Sequence, residues 1–128
     1  MAETKAAPEL EREDYGDVTV LRVLAPMLTA QEAADGVFDY ACSLVDAEGR
    51  SRLVLDLQKV GYMASAAIGK LVALMRKAAA AGGKLVLCKT GRAVEEVLRL
   101  CRLSDILPSY TDEQEARRAL VAFGSSSR

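Results

Sequence analysis

The chain has 128 residues, 51% of them hydrophobic and 27% charged, with 17 Lys and Arg against 18 Asp and Glu. One domain fits that length, and the even charge balance argues against a binder that works by neutralising nucleic-acid phosphates. Histidine and tryptophan are absent, which removes His-ligated zinc, Ser–His and Cys–His nucleophile pairs and imidazole general bases, and leaves little for base stacking.

Residues 1–14 are polar, charged and aperiodic, and read as a flexible arm with at most an edge strand over Leu10–Asp14. They hold no apolar core of a secretory signal, and the longest apolar runs fall far short of the ~20 residues that span a bilayer. Asp17–Leu24 sets Val18, Val20 and Arg22 against Thr19, Leu21 and Val23, the alternation of a strand, and Pro26 ends it. Thr29 with Glu32 looks like a helix cap, and Ala33, Val37, Tyr40, Ala41 and Leu44 follow at helical spacing up to a turn at Glu48-Gly49. Arg52–Leu57 suits a buried central strand. A loop over Gln58–Ala64 then leads to a helix with Ile68, Leu71, Val72, Met75 and Ala79 on one face, stopped by Gly82-Gly83. Lys84–Cys88 is a second buried strand, and a third helix carries Val94, Val97 and Leu98 after Thr90-Gly91. Pro108, a short edge strand at Ser109–Tyr110 and a helix capped by Thr111-Asp112-Glu113-Gln114 complete the order, with 124–128 read as a disordered tail. Strands alternating with amphipathic helices predict an α/β domain with a largely parallel sheet.

Few residues offer chemistry. Cys42, Cys88 and Cys101 are too widely spaced for a CxxC site and are flanked by apolar residues, so they read as small buried hydrophobes of a cytoplasmic protein. None of Gly61, Gly69-Lys70 or Gly82-Gly83 fits a phosphate-binding loop. Asp56 lies at the C-terminal end of its strand, where α/β proteins place sites, but reads as a lone carboxylate without a paired acid or base. Glu95-Glu96 and Arg117-Arg118 read as solvated helix faces. Ser65 stands between the strand-ending loop and the second helix. Its hydroxyl suits a cap on the free N–H groups of that helix. The same place also suits a phosphate, which the helix N-terminus would favour. Ser–Lys catalysis fails on geometry, because Lys70 lies ~140° around the helix from Ser65.

The run Leu55-Asp56-Leu57, Val60, Tyr62-Met63, Ser65, Ile68-Gly69 and Leu71, with Gly82–Leu87 and Leu103–Leu107 further on, resembles the signature of STAS domains, the anti-sigma factor antagonists. That pattern runs roughly L-D-L-S-x-V-x-F-M-D-S-S-G-L-G-x-L, and the similarity covers about residues 15–122. The resemblance implies the STAS fold over residues 15–123: a small mixed, mostly parallel sheet of four or five strands with about four helices, mainly on one face. It also implies a cytoplasmic regulatory module with no enzymatic activity, cofactor or metal, monomeric or weakly dimeric. Its partners would be an anti-sigma factor that is also a serine kinase, and a phosphatase, with no nucleic acid and no membrane insertion.

The family's phosphorylated position falls on Ser65, and the surface expected to meet the partner comprises Tyr62, Met63, Ala64, Ser65, Ala66, Ala67 and Gly69. The chain departs from the pattern in three places. Ala64 stands for the motif's Asp, Ala66-Ala67 for its Ser-Gly, and Ala25–Thr29 for a G-x-L-D turn after the first strand. The alternative within the same fold is a constitutive scaffold subunit, of a stress-signalling complex or a lipid-transport ATPase, with no phospho-switch.

Overall fold

A computed structural model describes residues 3–7, 10–28 and 31–126, with side chains at 10–28 and 36–123. Its strands are β1 (Glu3–Ala7), β2 (Leu10–Tyr15), β3 (Val18–Val23), β4 (Met27–Leu28), β5 (Arg52–Asp56), β6 (Tyr62–Met63), β7 (Lys84–Cys88) and β8 (Ser109–Tyr110). The helices are α1 (Gln31–Glu48), α2 (Ser65–Ala80), α3 (Arg92–Leu100) and α4 (Glu113–Ser126). One six-stranded sheet runs in the order β1-β2-β3-β5-β7-β8, while β4 and β6 form a separate pair. From β3 to β8 the strands are parallel, and β1 and β2 join antiparallel.

The central strands read as nearly continuous apolar runs because both of their faces are covered. Alternate residues point to opposite sides, as the pleat requires. Leu21, Val23, Leu53, Leu55, Leu85 and Leu87 meet Phe38, Ala41 and Leu44 of α1, Ile68, Leu71 and Leu74 of α2, and Val94 and Leu98 of α3. Val18, Val20, Val54, Val86 and Cys88 face the other way, onto Ala116 and Leu120 of α4. Among the described residues three helices thus cover one face and a single helix the other. The short turn from α2 into β7 depends on two glycines. Gly82 adopts φ 88°, and a Cβ on Gly83 would overlap the backbone carbonyl of Ser51, whose oxygen accepts the Lys84 N–H at 2.8 Å.

The α/β sheet with four helices is the architecture expected, and both termini differ from expectation. The segment read as an arm carries β1, and the edge strand allowed over Leu10–Asp14 is β2, which lies inside the sheet between β1 and β3. Six residues of β2 pair in register with β3, from Leu10↔Val23 to Tyr15↔Val18, and Leu10 is fully buried. Gly16, at φ 62°, supplies the tight turn between them. The charges that suggested solvation are partners of other elements. Arg12 donates to the Tyr40 hydroxyl at 2.8 Å and bidentately to Glu48 and to Asp14, fastening β2 to the end of α1. At the other end α4 continues to Ser126, through most of the expected tail. Ser127 and Arg128, and the Thr29-Ala30 cap expected for α1, lie outside the described residues.

Candidate functional site

The approach to Ser65 is built by backbone hydrogen bonds. At the end of β5, Asp56 Oδ1 accepts the Gln58 N–H at 2.9 Å and Leu57 O accepts the Val60 N–H at 3.0 Å, which turns the chain. Gly61 N–H then donates to Pro26 O at 2.7 Å and Ala64 N–H to Leu28 O at 3.1 Å. Between these bonds β6 pairs in parallel with β4, placing Met27 beside Tyr62 and Leu28 beside Met63. Met27-Leu28, within the segment that departs from the family turn, is therefore the strand that holds β6. Leu28 and Met63 are buried and anchor the pair, while Met27 and Tyr62 stand exposed side by side at 54% and 48%.

Ser65 is the first residue of α2 and does not cap it. The capping position is Ala64, with φ −74° and ψ 163°, and it makes no side-chain cap hydrogen bond. The capping role expected of Ser65 is displaced by one residue, because the last extended residue is Ala64, whose carbonyl accepts the Ile68 N–H at 3.0 Å. Ser65 is exposed, as are Ala66 and Gly69, and Ala64 is half-buried. Two residues expected at the partner surface face inward instead: Met63 and Ala67 are 2% and 1% exposed. Ala67 lies in regular helix without a positive φ, so it needs none of the freedom of the motif's glycine, and its methyl packs in the core.

Asp56 is not a lone carboxylate. It is 4% exposed and hydrogen-bonds the side chain of Glu113, in the first turn of α4. Glu113 is in turn gripped by Arg22, whose Nε and Nη2 reach its two oxygens at 2.7 and 2.8 Å, and Nη2 also reaches Glu13 at 2.7 Å. Lys89 Nζ stands 3.7 Å from Asp56 Oδ2. Burial and the neighbouring Glu113 carboxylate push Asp56 up to about 6, while the Arg22 guanidinium holds Glu113 well below the usual carboxylate range. This acid pair escaped sequence reasoning because its members are far apart in the chain and Glu113 resembles an ordinary first-turn helix acid.

The paired helix charges also divide. Glu95 accepts from the Thr90 hydroxyl at 2.8 Å and Glu96 meets Arg99 at 3.4 Å, both at the surface. Arg117, read as solvated, lies with its guanidinium carbon 3.9 Å from the centre of the Tyr15 ring. Of the three cysteines only Cys88 is buried; Cys42 is half-buried and Cys101, at the end of α3, is exposed, against the expectation for all three. Burial, reinforced by Asp56, pushes the Cys88 thiol up to about 12. Among the described residues no group of three acids or thiols is placed to hold a metal ion, and no helix is long and apolar enough to cross a membrane.

The fold recurs in solved structures. An anti-sigma factor antagonist from Mycobacterium paratuberculosis aligns with a TM-score of 0.71 and 23% identity, over 90% of this chain and 97% of its own. The anti-sigma factor antagonist SpoIIAA in its unphosphorylated form aligns at 0.73 and 17% identity, over 86% of this chain and 95% of its own. The Bacillus cell fate determinant SpoIIAA in its phosphorylated form aligns at 0.69 and 16%, over 86% and 98%. Residues 9–116 match the STAS domain family itself. With a match running from the first residues of β2 into α4 and a fold shared with anti-sigma factor antagonists, the chain belongs to the STAS domain family.

Proposed function

We propose that this chain is an anti-sigma factor antagonist of the partner-switching kind, a regulatory binding module whose partner is an anti-sigma factor with serine-kinase activity. In this reading the module works by being phosphorylated on Ser65 and dephosphorylated by a separate phosphatase, and has no catalysis of its own. The observation that carries the reading is the position of Ser65: exposed, on the first turn of α2, next to a capping residue, Ala64, that makes no side-chain cap hydrogen bond. A helix start with free N–H groups favours an anion, so a phosphate there is tolerated without unfolding. In the transfer, Ser65 Oγ would attack the γ-phosphorus of ATP bound to the kinase, ADP would leave, and the hydroxyl proton would pass to the kinase or solvent. Roughly two negative charges then appear just after β6, which holds Tyr62 and its partner Met27 exposed. Aromatic and Met side chains are enriched in protein interfaces. A partner seated on them loses its fit when the phosphate must be desolvated beneath it. Tyr62, Met27, Ala64, Ala66 and Gly69 are the surface assigned to the partner.

Incubation with the cognate kinase and ATP, followed by peptide mass spectrometry, tests the site. Phosphate confined to the peptide containing Ser65, and lost in Ser65→Ala, is the expected result. Phosphate elsewhere, or none, overturns it and leaves the constitutive scaffold reading.

A further inference from the structure

We propose that Asp56 and Glu113 form a proton-bound latch that holds the first turn of α4 on the sheet and loosens when the shared proton is lost. This inference is independent of the partner-switching reading. Among the described residues α4 is the helix that covers this face of the sheet, and the Asp56–Glu113 contact ties its first turn to the end of the central strand β5.

The surroundings decide where the proton sits. Glu113 faces Arg22 of β3, which offers it two short charge-assisted hydrogen bonds, so Glu113 is the ionised partner. Asp56 receives one backbone N–H, from Gln58, and its nearest cation, Lys89 of the β7–α3 loop, stays at 3.7 Å, beyond a good hydrogen bond. Buried and poorly compensated, Asp56 keeps the proton below about pH 6 and donates it to Glu113. Among the described residues the other charged or titratable groups around the pair are Glu13 of β2, held by Arg22, Glu11 of the same strand, Asp112 before α4, Lys59 in the following loop, and the Cys88 thiol of β7. None supplies Asp56 with a second close cation. When the proton leaves, two carboxylates face each other in a buried place, and separating them means moving the start of α4. Asp56 also fixes the Gln58 turn that leads to β6 and Ser65, so the same proton touches both elements.

The balance can be sized by linkage. Asp56 rises from an ordinary 3.8 to about 6 in the closed state. The opening equilibrium of the latch should therefore grow about tenfold between roughly pH 5 and pH 7.5. Amide hydrogen exchange of residues 115–118, corrected for the intrinsic pH dependence of exchange, reads this directly. Wild-type protein should lose about tenfold in protection at these amides as pH rises over that range. Asp56→Asn, which keeps a neutral donor toward Glu113, should hold protection constant. Protection that does not change with pH in the wild type, or the same pH dependence in Asp56→Asn, overturns the latch. Carboxyl-carbon NMR titration of the wild type needs no variant. A resonance of Asp56 with a midpoint above pH 5, sensed by Glu113, supports the latch, and midpoints for both residues in the ordinary carboxylate range overturn it.

Discussion

Arg22→Met removes the cation that organises the acids of the α4 face. Arg22 contacts Glu113 through two nitrogens and Glu13 through one, at 2.7–2.8 Å, and the three side chains are only 22%, 14% and 20% exposed. Methionine preserves the aliphatic stem, so the change isolates the charge. It leaves Glu13, Glu113 and Asp56 together, with Lys89 3.7 Å from Asp56 and Lys59 in the neighbouring loop as nearby cations. Removing one member of a well-buried ion pair costs about 3–5 kcal/mol, and the residual exposure here places the loss at the lower end, about 3 kcal/mol. For a chain of this size that lowers Tm by roughly 10 °C.

The pH dependence fixes the cause. Arg22 depresses Glu113 in the folded state, so its contribution is present above the unfolded carboxylate value of about 4.5 and is lost as pH falls below it. Urea unfolding followed by circular dichroism should show the full penalty near pH 7 and a clearly smaller one near pH 3.5. A penalty under about 1 kcal/mol at pH 7 would mean the cluster is solvated like a surface pair. A penalty undiminished at low pH would mean that packing, rather than charge, is what Arg22 supplies.

Other positions give further tests. Gly83→Ala drives a methyl into the Ser51 carbonyl, and because both sides are backbone the cost should be about 1–3 kcal/mol by urea denaturation; a neutral result would contradict the close αβ turn. Ala64→Asp supplies the missing cap of α2 and should stabilise by about 0.5–2 kcal/mol, read as a higher Tm, with no gain if Ala64 were not the capping residue. Tyr62→Ala and Met27→Ala, both exposed, should leave Tm within a few degrees and weaken partner binding by about tenfold or more; a large fall in Tm would place them in the core. In a thiol-reagent assay on the native protein, exposed Cys101 should react promptly and buried Cys88 only on unfolding, and prompt reaction of Cys88 would contradict the seating of α4.

Periodicity made β3, β5, β7 and all four helices legible, because each buries a regular face large enough to leave a pattern in the residues. The elements that escaped it are held by other means. β4 and β6 are two residues each, too short for alternation, and exist through bonds between Pro26, Leu28, Gly61 and Ala64. β2 is written in charges and could be read only as an edge strand at the end of an arm; buried Leu10 and the reach of Arg12 to Tyr40 and Glu48 show how LEREDY is held inside the sheet. Ser65 could be placed at a helix start from the loop before it and the apolar stripe after it. Whether it or Ala64 would cap the helix depended on a single ψ angle, which residue types do not encode. Met63 and Ala67 sat in the motif like their neighbours, and only the facing of β6 and α2 separates them from the exposed Tyr62, Ser65 and Ala66. The Asp56–Glu113 pair was out of reach altogether, since it forms by tertiary contact across the α4 face.

The central claim is that the charge state of Ser65 sets partner affinity. Calorimetric titration of the cognate anti-sigma factor kinase against unmodified protein and against protein stoichiometrically phosphorylated on Ser65 measures it directly. The account predicts that phosphorylation weakens binding at least a hundredfold, about 2.7 kcal/mol, while Ser65→Ala binds like the unmodified protein. Equal affinity of the phosphorylated and unmodified forms would contradict it.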